Sequence, residues 1–205
     1  EEVAAPEGYV LNQEYITFSV DTDTAYVTDP DTFDAILTAD YVNEPAVGEL
    51  TVEKKGEVLD SYKGGLFAGS EEKEFVYREG SLAGAEFAVY AAEDIYTNDY
   101  QKDENGERTK YCSEGTLVAT LVTDENGKAV LSNLPLGTYK VVETKAPYGY
   151  ALNKKEQTVT FVYVDDRTPV IQESLTFEND RQKVDVSVLK LDGETELPIA
   201  GAEFG

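Results

Sequence analysis

APYGYALN at residues 146–153 repeats, almost letter for letter, the APEGYVLN of residues 5–12. The agreement extends outward from these octets. Asn43 precedes Lys54 by eleven residues just as Asn179 precedes Lys190, and GAEF at 84–87 returns at 201–204. A period of about 136–141 residues is too long for a solenoid unit and suits one globular domain per repeat. Glu2 stands four residues before Pro6 as Glu143 stands four before Pro147, which sets the phase. The expected organisation is the C-terminal part of one domain at 1–47, a complete domain at 48–182, and the N-terminal part of a following domain at 183–205.

Composition narrows the function. The 205 residues, 41% hydrophobic and 28% charged, suffice for one sizeable core plus partial units. A net charge of −24 repels phosphate backbones and anionic membranes, so no nucleic-acid partner is expected. The chain has no His, the commonest general base and metal ligand, and its one Cys makes neither an internal disulfide nor a thiolate zinc cluster. No apolar run approaches the length needed to cross a bilayer, so no membrane insertion is expected of these residues. LPLGT at 134–138 reads as a turn entering a strand rather than as a sorting signal.

Segments rich in Val, Thr, Tyr and Phe alternate with NG, PLG and PYG turns, which predicts an all-β, antiparallel β-sandwich without a substantial helix. Strands are expected near 50–55, 75–78, 85–92, 116–123, 128–133, 137–144, 156–164 and 170–178. DENG at 103–106 and 124–127 is read as turn chemistry: Asn-Gly closes hairpins, and the carboxylate spacing of a calcium loop is missing. No metal site is expected.

Side chains alternate between faces along a strand, so the residue two places from a buried one is normally buried as well. Leu50 and Val52 are in phase with Lys54, Tyr139 and Val141 with Glu143, and Leu175 and Phe177 with Asn179. The end pieces repeat the pattern: Val186 and Val188 precede Lys190, and Tyr41 precedes Asn43. Any one of these polar residues alone reads as an edge group snorkelling to water. Taken together they read as buried partners, because an isolated buried charge is tolerated only beside a partner.

Burial raises a carboxyl pKa and lowers that of an amine, so a desolvated Lys and Glu can exchange a proton and become neutral. A neutral amine held against an Asn carboxamide, with a protonated carboxyl donating to the carbonyl oxygen, supplies nucleophile, electrophile and charge stabilisation for acyl transfer. The product is a lysine–asparagine amide, with ammonia lost. Amides are poor electrophiles, but fixed juxtaposition is worth about 7–11 kcal/mol of barrier, and one turnover per molecule suffices. No cofactor is needed.

These residues lead to a resemblance. LTVEKKG at 50–56, LAGAEFAVY at 82–90, LPLGTYKVVETKAPYGYAL at 134–152 and LTFEND at 175–180 together resemble the SpaA-like, or CnaB-type, prealbumin-like repeats of Gram-positive surface proteins and pilins. In that family a Lys of the first strand, the Glu of the VET strand and an Asn of the last strand form a spontaneous intramolecular isopeptide bond. By position the resemblance implies a Lys54–Asn179 crosslink with Glu143 as its catalytic residue. Glu2 is the equivalent acid of the preceding unit, and Asn43 and Lys190 are equivalents whose partners lie outside these residues. Lys190 is expected to meet its Glu and Asn beyond residue 205, and Glu2 and Asn43 a Lys before residue 1. Lys55 and Gly56 stand where the family often has an acidic residue, yet strand phase favours Lys54 as the linking amine.

Between Lys54 and Gly84 lie 19 more residues than between Lys190 and Gly201, which marks 56–81 as an insertion at the sandwich edge, packed through Phe67, Phe75 and Tyr77. The resemblance implies a stalk module of a cell-wall-anchored adhesin or pilus, extracellular on a Gram-positive bacterium, with neighbouring repeats or pilin subunits as partners. The alternative is an adhesive domain that binds a host protein or glycan through 56–81 or through 93–115, with Tyr96, Tyr100 and Tyr111. Hydrolase chemistry of the transthyretin-like kind relies on His, so beyond one self-crosslinking turnover no enzyme activity is expected, and Cys112 reads as incidental.

Overall fold

The computed structural model describes residues 1–19, 27–28, 30–32, 35–36, 38–63, 74–97 and 104–203. Eight of the described strands build the two main sheets of the unit read as complete: β1 (Val47–Lys63), β2 (Glu74–Ser81), β3 (Glu86–Ala91), β4 (Leu117–Val122), β5 (Lys128–Leu134), β6 (Gly137–Lys145), β7 (Gln157–Phe161) and β8 (Val170–Asn179). They correspond one for one to the expected segments, and the described residues include no helix. One sheet runs β7-β6-β3-β4, antiparallel throughout. The facing sheet is built on β1, with β8 along one side and, along the other, β5 beside its first half and β2 beside its second.

The β1–β8 pair is parallel, from Val47↔Val170 to Gly56↔Asn179. This departs from a wholly antiparallel sandwich. The chain enters at Val47 and leaves at Asn179, so its first and last strands run in the same direction where they lie side by side. A second departure concerns the turn at 124–127. The Asp124 carboxylate accepts the amides of Asn126 (2.9 Å) and Lys128 (2.8 Å), which makes the bend as tight as the Asn-Gly signal predicts. The flanking strands β4 and β5 nevertheless join opposite sheets, so the turn is a crossover rather than a hairpin.

The inner faces of the two sheets meet in a core that includes Leu50, Val52, Phe87, Val89, Tyr139, Val141, Phe161 and Phe177, all buried. Each such aliphatic or aromatic side chain contributes about 1.5–3 kcal/mol on removal from water, enough to hold less favourable groups in the same layer. The expected insertion takes the form of a ribbon. Past Gly56, β1 continues to Lys63 against β2, from Lys55↔Ser81 to Lys63↔Glu74 with an irregularity near Leu59 and Ser61. Tyr77 lies beneath the Arg181 guanidinium at 3.4 Å, whereas Phe75 is exposed rather than packed. Phe67, like Tyr100 of the 93–115 connection, Asp103 of the first DENG and Phe204 of the second GAEF, lies outside the described residues. Within that connection Ile95–Tyr96 pairs with Lys110–Cys112, and Ile95 joins the core.

Candidate functional site

Three strands deliver the site. β1 carries the inward stripe Leu50, Val52, Lys54; β6 carries Tyr139, Val141, Glu143; β8 carries Phe177 and Asn179. The apolar members of each stripe anchor its phase, and the pleat brings the polar member inside two residues later. Lys54 is 0% exposed, Glu143 2% and Asn179 5%. The edge reading of these residues is therefore replaced by burial. Lys54 and Asn179 are neighbours on one sheet, since Lys54 pairs with Phe177 across the parallel ladder, and Glu143 faces them from the other sheet.

The contacts are direct. Lys54 Nζ donates to Asn179 Oδ1 at 2.5 Å and lies 3.2 Å from Glu143 Oε1, while Asn179 Nδ2 donates to Glu143 Oε1 at 2.8 Å. The rings of Phe87 and Phe177, 4.9 Å apart between centroids, wall the amine at about 6 Å. Burial pushes the Lys54 ammonium below its ordinary pKa of 10.5, against the pull of the Glu143 carboxylate. Sequence reasoning placed the acid on the carboxamide oxygen, but here it meets the nitrogen. An ammonium only donates, so it claims Oδ1 and leaves the amide N–H to the carboxylate, which only accepts.

Gly56 shapes the approach. A Cβ there would stand 2.7 Å from the Asn179 carbonyl oxygen and 2.8 Å from Leu82 Cδ1, so only glycine lets the end of β8 lie this close to β1. A cleft of about 490 Å³, lined in part by Gly56, Tyr77 and Asn153, opens beside Asn179.

Sequence reasoning missed Asn153. Its backbone N–H donates to Glu143 Oε2 at 2.8 Å. Its side chain donates to the Glu178 carbonyl (2.8 Å) and accepts from the Lys155 amide (2.9 Å), clamping the loop between β6 and β7 to the residue before Asn179. The same bonds recur in the first unit. Asn12 N donates to Glu2 Oε2 at 2.8 Å, Asn12 Nδ2 to the Val42 carbonyl at 2.8 Å, and Glu14 N to Asn12 Oδ1 at 2.9 Å. Asn43 Nδ2 meets Glu2 Oε2 at 2.6 Å, matching Asn179 and Glu143. The signal was in plain view, since Asn is the final letter of both octets. Lys190 is exposed, and its carbonyl accepts the Ile199 amide at 2.9 Å as the Lys54 carbonyl accepts that of Leu82.

Residues 76–174 match the model of the SpaA prealbumin-like fold domain family. That stretch of the chain is similar to a SpaA-type prealbumin-like domain. A 75-residue stretch is 33% identical to the trypsin-resistant surface T6 protein of Streptococcus pyogenes serotype M6, covering 36% of this chain and 14% of that protein. Among solved structures the chain is similar to the Bacillus anthracis TIE protein, with 24% identity, a TM-score of 0.46, and coverage of 88% of this chain and 24% of that one. It is also similar to GBS52, the minor pilin of Streptococcus agalactiae, with 20% identity, a TM-score of 0.40, and coverage of 71% and 49%. The matches span less than half the length of each of these three relatives.

Proposed function

We propose that this chain is a structural stalk module of a Gram-positive cell-surface adhesin or pilus, locked by an autocatalytic amide between Lys54 and Asn179. The observation that carries the reading is the meeting of amine, carboxamide and acid within hydrogen-bonding distance in a dry interior. In the charged arrangement the amine's lone pair is protonated. Transfer of that proton to Glu143, with half a turn of the carboxamide, sets the acid on Oδ1 and frees the amine to attack Cγ. Glu143 then takes a proton from the attacking nitrogen and returns one to Nδ2, which leaves as ammonia. One N–C bond forms, one breaks, and the acid is regenerated. The cleft beside Asn153 and Asn179 gives the ammonia its way out.

The mechanical logic follows from the parallel pair. Tension entering at Val47 and leaving at Asn179 would run along β1 to Lys54 and cross the amide directly, leaving residues 55–178 unloaded. The T6 relative is trypsin-resistant by name, a property a stapled sandwich supplies. Two measurements on folded protein test the reading. The intact mass should fall one ammonia short of the sequence value, and trypsin should leave the domain whole while digesting a Lys54→Ala variant. An unchanged mass in well-folded protein removes the crosslink.

A second reading is favoured by one observation. Leu59, Tyr62 and Phe75 are each more than half exposed on the β1–β2 ribbon, as suits a surface for a host protein or glycan. Deleting 58–77 would abolish ligand capture under that reading and leave the mass deficit intact.

A further inference from the structure

The repeated octet has a role beyond holding the acid, and the two ends of the chain reveal it by differing. Within each octet the turn is the same: Tyr9 N donates to the Pro6 carbonyl as Tyr150 N does to that of Pro147, and Gly8 and Gly149 both adopt positive φ, 89° and 83°. Each turn also pairs with the segment after its Asn. Val10 N bonds the Glu44 carbonyl and Ala46 N the Gly8 carbonyl, just as Ala151 N bonds that of Asp180 and Gln182 N that of Gly149. Their surroundings are not the same. Gly8 is buried and Val10 and Leu11 are half-buried, whereas Gly149, Ala151 and Leu152 are exposed.

What covers the first octet is the loop between β7 and β8 of the next unit. Leu11 N donates to the Asp166 carbonyl at 2.7 Å, Ala5 N to the Asp166 carboxylate at 3.3 Å, and the Tyr163 hydroxyl to the Tyr9 carbonyl at 3.3 Å. Val47 N bonds the Pro169 carbonyl at 3.0 Å, and Val10 packs against the core of the complete unit. The loop is built to present Asp166, because the Asp165 carboxylate accepts the Arg167 amide (2.9 Å) and the Thr168 hydroxyl (2.8 Å). Only Glu44, Pro45 and Ala46 separate Asn43 from β1, so the joint has no slack.

We infer that the octet turn is an inter-repeat socket. The exposed face at 149–152 takes the counterpart of the Asp165–Pro169 loop from a following copy of the domain, fixing the angle between successive repeats. The partner is a tandem domain of the same kind, because the equivalent face is already occupied by such a domain at the other end of this chain. Val186 and Val188, exposed here, are the counterparts of the buried Leu50 and Val52 and mark the strand on which that copy begins. The inference rests on the tandem-repeat part of the reading above and not on the crosslink.

Amide hydrogen exchange tests it in two chains. In the 205-residue chain, Asp165→Ala loosens the loop and should speed exchange at Leu11 at least tenfold, with the mass deficit at Lys54 and Asn179 unchanged. In a chain extended through the next unit, the Leu152 amide should exchange at least tenfold more slowly than in the 205-residue chain. Unchanged exchange at Leu11 in the variant, or identical exchange at Leu152 in the two chains, overturns the socket. Loss of the mass deficit alone bears only on the crosslink.

Discussion

Lys54 is the residue on which the proposed chemistry turns, and its desolvation gives a signed pH dependence. The reactive form is the neutral amine. It arises by passing the ammonium's own proton to Glu143, so the rate of amide formation after refolding should be level with pH while the pair keeps that proton and, because burial lowers the Lys54 pKa, fall before pH 10.5 as the proton is lost. A rate still climbing tenfold per pH unit at 10.5 would mean a solvated lysine. The same shift acts on stability in a variant that cannot crosslink, such as Asn179→Ala. Between the lowered pKa and 10.5 the unfolded chain binds more protons than the folded one, so stability rises with pH across that window and is lost as pH falls through it. Glu143→Ala should abolish the bond, and leaving the ammonium buried without its anion should cost about 3–5 kcal/mol, readable by urea denaturation against Lys54→Ala. In the proposed reaction Asn153 would act through Glu143, whose Oε2 its amide meets, rather than on the reacting atoms. Asn153→Ala should slow bond formation by tenfold or more in a refolding time course followed by mass, while costing a Lys54→Ala background only about 1 kcal/mol. An equal loss in both measurements would reduce Asn153 to a structural residue.

At the scale of elements, strand phase was the most legible feature of the sequence. Period-two alternation made Lys54, Glu143 and Asn179 continuations of buried stripes, and each lies on the inward face it predicts. Pairing was less legible. Alternation says which face a residue takes but not which strand lies beside it, so neither the parallel β1–β8 ladder nor the crossover at 124–127 was readable. The ribbon escaped for a related reason: beyond Gly56 both faces of β1 are largely exposed, and the alternating signal fades where no core faces it. Asn153 escaped because its contact with Glu143 runs through a backbone N–H, which any residue but proline would supply, with the side chain only aiming it. Gly56 yields a prediction at this scale. Gly56→Ala would set a methyl group 2.7 Å from the Asn179 carbonyl oxygen, forcing β8 from β1. The substitution should cost about 1–3 kcal/mol and slow crosslinking, as thermal melts and mass kinetics would report. A neutral outcome in both would show that the strand ends move apart without consequence.

For the whole molecule, the proposed crosslink would join residues 125 positions apart and so close nearly the entire eight-stranded unit into one loop. By the chain-entropy argument used for disulfides this would restrict the unfolded state by about 5 kcal/mol, a large share of the stability of an ordinary domain. Lys54→Ala, which removes both the bond and the buried amine, should therefore melt far below the parent chain and lose its resistance to trypsin. Docked turns between repeats would turn a string of such domains into a stiff rod, with tension carried by short strand segments and amides rather than by sheet hydrogen bonds. The stapled-domain reading depends on one covalent bond. The most direct test is tandem mass spectrometry of a proteolytic digest of the folded protein. The account predicts a branched peptide joining Lys54 to Asn179, one ammonia lighter than the sum of its two arms. Recovery of Lys54 and Asn179 in separate linear peptides at their full sequence masses would contradict it.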